Sequence, residues 1–319
     1  MIGVRRVSGL AAGVSMFVAA ALVIATMVVA TPASAAPLPV TEAAANQTCP
    51  SGILVRRSVR DLSAADWTRF TNAVRKLQLQ HPSGSAVSNY DTLVQRYLLN
   101  ASQVRSNPVF LPWHRYYLRQ FELRLQAIDP GLTIPYWDFG YLDSQAPGRS
   151  LVWTYLGHNG TGPDHAVPDG PFASWNPAYP QPHSLSRSWD QGDHISAWYS
   201  AEQFNSLLQS TTYDNFWRSL EPVVAGQVQA GIGGDMVTMA APNDPVFLLV
   251  FAYVDKLWAS WQERSPANAT AYGGHRRDGQ VAQSADQMPG FIATVRDTFN
   301  ISSFCYRYDS NTVAPSQTS

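Results

Sequence analysis

Cysteine and charge are what this chain has least of. Two cysteines, Cys49 and Cys305, stand toward the two ends of the 319-residue sequence, so at most one internal bridge can form. In an exported protein such a pair usually closes a disulfide. Closing so long a loop stabilises by about 4–5 kcal/mol in the chain-entropy view; two separate thiols are the alternative. Charged residues make up only 14%, with 22 Lys and Arg against 23 Asp and Glu. No basic run and no acidic tail breaks that balance, so the electrostatic footprint of a nucleic-acid binder is missing. Repeats of fixed period and low-complexity tracts are missing too. What the chain does have is aromatic: 10 Trp, 14 Tyr and 13 Phe, 12% of all residues. Such a composition fits a soluble, tightly packed globule.

The first thirty-five residues read as an export signal. Arg5 and Arg6 precede a long apolar run, and the small residues Ala33-Ser34-Ala35 mark a cleavage point. The run is also long enough to serve as an uncleaved membrane anchor. The polar segment directly after it favours cleavage, and with it a secreted protein with no membrane partner. Residues 36–49 then read as a linker, 50–309 as one domain, and 310–319 as a flexible tail. The domain is ample for a single large core.

Helical periodicity starts at Leu62 with Ser63 as cap, again at Tyr90, and again at Pro112, ending before Pro130-Gly131. The third helix has an inner stripe of His114, Leu118, Phe121 and Leu125, which turns Arg115, Arg119 and Glu122 outward. From Ile134 to Tyr199 the pattern dissolves into Gly, Pro, Trp and Asp. An irregular stretch that long inside a compact domain is functional or held by its own packing. Helices resume at Ser200 and Tyr213, and a short one is expected from Met288 to Phe299. Strand patterns are few and short. The reading is a mainly α domain, a bundle of about four long helices with heavy loops.

The helix in "PNDPVFLLVFAYVDKLW" (242–258) is the best marked. Asn243 and Asp244 offer N-caps, and Pro245 sits where a first turn tolerates proline. Its inner stripe, Phe247, Val250, Val254, Leu257 and Trp261, holds nothing that could bind a metal, take a proton or attack a carbonyl.

Five stretches together, "NPVFLPWHRYYLRQFE", "IPYWDFG", "VPDGPFASW", "APNDPVFLLVFAYVDKLWASWQ" and "CYRY", resemble the tyrosinase family of type 3 copper proteins, in order and spacing from about Arg56 to Tyr308. The resemblance implies a four-helix bundle whose helix pairs hold two coppers through six histidines, for oxidation of phenols or catechols. Copper that binds O2 needs neutral imidazoles that leave a coordination position open. The family's six ligand positions fall on Tyr97, Arg105, His114, Ala225, Gln229 and Val250, and Phe251 replaces the histidine adjacent to the last. One of the six is histidine, so the resemblance here implies a scaffold without its copper. Glu221 stands like the glutamate that orients a water in tyrosinases, while Gly226 replaces the asparagine of phenol-hydroxylating members. The remaining histidines, His81, His158, His165, His183, His194 and His275, are too scattered for a copper pair; His158, His165 and Asp164 could at most form a loop site.

Two readings of the replacements stay open. In one, Val250, Phe251 and Ala225 are ordinary core, Tyr97 fills space, and the former pocket, lined by Gln229, Asn243, Val250 and Phe251, is repacked or binds a phenolic or other aromatic small molecule. In the other, Arg105, Tyr97, His114 and Glu221 converge for metal-free catalysis, His114 as acid/base and Tyr97 as donor. A residual copper oxidase is a third possibility. No cofactor is expected. An arginine at such a position requires a partner, Glu221 or an anionic ligand.

Overall fold

A computed structural model describes residues 49–141 and 143–309; the export signal, nearly all of the linker and the tail lie outside them. Serine caps define the early helices. Ser63 accepts the Asp66 N–H and Asp66 returns the bond, opening α1 (Ala64–Leu79). Ser88 caps α2 (Asn89–Val104) in the same way through the Asp91 N–H. After a tight elbow comes α3 (Phe110–Ile128). The long irregular segment carries only α4 (Val152–Leu156), and then α5 (Ala201–Leu208) and α6 (Tyr213–Val223) follow. From Val224 to Gln229 the chain winds as a π-helix before α7 (Ala230–Ile232) and α8 (Val246–Glu263). α3 is the hub, packing on α1, α2, α6 and α8. The fold is mainly α, a helical bundle with long loops, as the sequence suggests.

Three details differ from expectation. α8 starts at Val246 with Pro245 as its cap residue; Asp244 contributes by accepting the Val246 N–H at 3.0 Å, whereas Asn243 does not cap. The segment after Met288 forms only a 3-10 turn at Val295–Thr298, because Pro289-Gly290 interrupts any longer helix. Most important, Arg115, Arg119 and Glu122 are not turned outward but buried, at 0, 4 and 0% exposure. α3 and α8 lie inside the molecule and bury nearly every face, so a one-sided stripe describes neither.

Those charges belong to a network that closes the fold. β1 (Leu54–Arg56) and β2 (Tyr306–Tyr308) pair in parallel, Arg56 opposite Tyr308, and the Cys49–Cys305 disulfide sits beside them. Arg56 reaches inward to Glu122 by two bonds of 3.0 and 3.2 Å and to Asp255 at 3.1 Å. Asp255 also accepts from Arg115 Nε and from the hydroxyls of Tyr306 and Tyr308. Burial pushes the Asp255 carboxyl up, but Arg115 and Arg56 outweigh it and hold the group below the usual carboxylate range. Arg115 in turn lies over the Trp258 ring at 3.7 Å.

The irregular segment is fastened, as its length suggested. Arg187, fully buried, forks onto Asp244 with bonds of 2.7 and 2.8 Å. Asp235 gathers the Ser186 N–H, the Asn243 amide and His183 Nε2, each at 2.9 Å. Gly233 and Gly234 both take positive φ, and a Cβ on either would collide with the carbonyls of Ser188 and Ser186.

Asp255→Asn keeps the shape but leaves Arg56 and Arg115 without their shared anion; urea unfolding is expected to show a loss of about 3–5 kcal/mol. His183 gives a pH-dependent counterpart. Burial alone would lower its pKa, but Nδ1 faces the Gln181 carbonyl and Nε2 faces Asp235, so both nitrogens donate and the pKa is raised. Stability from a raised histidine is full below its unfolded pKa and is lost as pH rises through the folded one. His183→Ala is therefore expected to cost more stability at about pH 5.5 than at about pH 8.5, read from melting temperatures of both proteins at each pH.

Candidate functional site

α2, α3 and α8 bring three of the sequence-selected residues into one knot. His114 on α3 donates from Nδ1 to the Phe110 carbonyl one turn earlier, at 2.7 Å. That bond fixes the tautomer: Nε2 carries the lone pair and faces the Tyr97 hydroxyl of α2 at 3.4 Å. Phe251 of α8 stacks flat on the imidazole, centroids 4.2 Å apart and planes at 17°. Phe247 stacks on Phe251 at 4.1 Å and meets Tyr97 edge-on at 5.2 Å. Tyr97, His114, Phe247, Val250 and Phe251 are all at most 1% exposed. The space between the helices is occupied by rings in contact.

The electrostatics follow from that closure. Burial, with a smaller push from the Arg105 charge, brings the His114 pKa down to about 3, so its imidazole is neutral at any ordinary pH. Burial raises the Tyr97 pKa against the opposing pull of Arg105. The knot is an uncharged, hydrogen-bonded aromatic cluster.

The other selected residues sit at its rim or away from it. Arg105 ends α2 and is half-buried, its Nη2 3.4 Å from the Thr238 carbonyl. Ser106, next in the elbow, has φ of 53°, and its N–H donates to Glu221 Oε1 at 2.8 Å. Burial raises the Glu221 pKa. Gln229 is buried and donates to the Met236 carbonyl at 3.0 Å. Asn243 is committed elsewhere, donating to the Tyr179 carbonyl and to Asp235. Ala225, read as core, is exposed. Positions 225 and 229 both lie on the π-wound stretch, the first exposed and the second buried. His158 bonds to Asp169, not to His165 or Asp164. Among the described residues no group of three His, Cys, Asp or Glu side chains is placed to hold a metal ion.

Sequence reasoning missed Phe110 and placed Phe247 on an inner stripe without selecting it for the site. The signal was present: Phe110 and His114, and Phe247 and Phe251, are two i, i+4 pairs on helices that face each other.

An α bundle whose facing helices present residues inward at these positions is the architecture of type 3 copper proteins. Residues 71–264 match the common central domain of tyrosinase. Tyrosinases of Streptomyces antibioticus and Streptomyces glaucescens are both 32% identical, over 69% and 67% of this chain and 87% and 84% of their own lengths. The chain belongs to the tyrosinase family. In fold it is similar to a polyphenol oxidase from Thermothelomyces thermophila, with TM-score 0.64, 21% identity, and 81% of this chain and 89% of that one covered. It is also similar to a functional unit of octopus haemocyanin, with TM-score 0.58, 18% identity, and 81% and 68% covered.

His114→Leu removes the Nε2 acceptor yet keeps an apolar occupant of the stack. It is expected to stay folded, with a loss on the order of 1–3 kcal/mol because the Tyr97 O–H loses its acceptor. In the unmutated protein, side-chain 15N shifts of His114 are expected to hold the neutral Nδ1–H pattern from about pH 5 to 9.

Proposed function

We propose that this chain is a tyrosinase-family protein that does not oxidise phenols through a copper pair, and that it binds a phenolic or other aromatic small molecule. The observation that carries the first half is the donor chemistry at the six ligand positions. They supply one imidazole whose lone pair faces a tyrosine hydroxyl, a phenol, a guanidinium, an amide already bonded to a carbonyl, and two side chains without donors, Ala225 and Val250. A guanidinium repels a divalent ion, and copper that binds O2 requires several neutral imidazoles. The residues present do not fit the metal pair.

Binding is favoured over metal-free catalysis by access. His114 is 1% exposed with both ring nitrogens engaged inside the cluster, so no substrate proton can reach it without opening the bundle. The aromatic ligand therefore lies at the rim, near Arg105 and Glu221, and not among Phe247, Val250 and Phe251. We also take the protein as exported: the Cys49–Cys305 bridge fits an oxidising compartment, and among the described residues no helix is long and apolar enough to cross a membrane.

Purified protein incubated with copper and then desalted is expected to hold far less than the about two ions per chain of a metal pair and to leave catechol unoxidised. It is expected to give a saturable change in tryptophan fluorescence with p-cresol. Stoichiometric copper together with catechol turnover would overturn the reading.

A further inference from the structure

At the rim of the aromatic knot, Arg105 stands half-buried with no ion pair to a carboxylate among the described residues. Its partners among the described residues are neutral: the Thr238 carbonyl at 3.4 Å, near the outer limit of a hydrogen bond, and the Tyr97 hydroxyl. Glu221, whose Oε1 accepts the Ser106 N–H, feels the Arg105 charge but forms no ion pair or hydrogen bond with it. Elsewhere in this molecule buried arginines are forked onto carboxylates, Arg56 onto Glu122 and Arg187 onto Asp244. A guanidinium taken part-way out of water with only neutral acceptors keeps most of its planar donor fork unused.

The surroundings complete a receptor. Val237 and Met239, the chain neighbours of Thr238, are apolar and 52 and 47% exposed, next in sequence to the residue whose carbonyl Arg105 touches. A cation with an adjacent apolar shelf matches a ligand with an anionic head and a flat apolar body. We infer that Arg105 is the recognition residue for the carboxylate of a small aromatic acid, whose ring rests on Val237 and Met239. The inference rests on the aromatic-binding reading above and adds the charge of the ligand and its seat. Glu221, close by and of opposite sign, tunes the site: ionised, it weakens the hold on an anion, and it sets Ser106 in the elbow that aims Arg105.

The test compares 4-hydroxybenzoate with 4-hydroxybenzyl alcohol, which keeps the ring and phenol but lacks the carboxylate, by isothermal titration at low salt. The unmutated protein is expected to bind the acid at least about tenfold more tightly than the alcohol, as a charge-assisted fork requires. Arg105→Gln is expected to bring the acid-to-alcohol affinity ratio down to about one, and Arg105→Lys to restore only part of it. Glu221→Gln, which still accepts from Ser106, is expected to raise the acid-to-alcohol affinity ratio by about two- to fivefold. It reads the same site without touching Arg105. Equal affinity for acid and alcohol in the unmutated protein would overturn the assignment while sparing the aromatic-binding reading. Binding of neither would overturn both, and so would acid binding that ignores Arg105→Gln and Glu221→Gln overturn the seat proposed here.

Discussion

Everything else in this molecule is arranged around one buried carboxylate. Asp255 sits inside α8 and is 3% exposed, a position an ion tolerates only with complete compensation. It receives Arg115 from α3, Arg56 from β1, and the hydroxyls of Tyr306 and Tyr308 from β2. Those partners come from both ends of the domain, so satisfying Asp255 obliges the first and last described segments to meet. The two-stranded sheet and the Cys49–Cys305 bridge hold that meeting in place. The same demand keeps α3 and α8 side by side and largely enclosed, which is why Arg115, Glu122 and Asp255 are internal and paired.

Much of this was legible. Helix starts followed from side chains that cap within three residues, as Ser63 does with Asp66, and the cysteine pair followed from count and context. Five motif stretches in order carried the resemblance to the family. What escaped depends on distance or on winding. Arg56 and Asp255 are 199 residues apart, and no local window reveals that Arg115 and Glu122 face a charge and not water. Nor does local periodicity reveal the π-wound turn at Val224–Gln229, where Ala225 is exposed and Gln229 buried. Asn243 was drawn to the pocket by its neighbour α8, whereas its amide is spent on Asp235 and the Tyr179 carbonyl. The stack of Phe251 on His114 could have been suspected from spacing, since each helix carries its own i, i+4 ring pair, but only the packing of α3 on α8 joins the two.

The placement of these cross-links explains how the scaffold stands with a metal-poor donor set. A metal pair between helices ties them together as well as doing chemistry. Here α3 and α8 are tied by Arg115 and Asp255, one turn beyond Phe251 along α8, and the loops are tied by Arg187 and Asp244. Neither tie uses a residue at a ligand position. The interior between the helices is therefore free to be filled by whatever packs, and rings fill it well. Phe247, Phe251, Tyr97 and His114 contribute stacking and edge contacts that need no ion.

Filling the interior still leaves each polar atom there to be answered. His114 answers by bonding to its own helix at Nδ1 and to Tyr97 at Nε2, and Gln229 by bonding to Met236. The imidazole can do so because burial keeps it neutral; a protonated ring beside Arg105 would put two like charges in the same apolar space. A guanidinium has no neutral form to retreat to. Arg105 must therefore stay at the edge of the knot, and half-burial is the compromise the fold reaches. Ala225 also reaches the surface, but Arg105 is the residue of this set that brings a fixed charge to the edge of the knot.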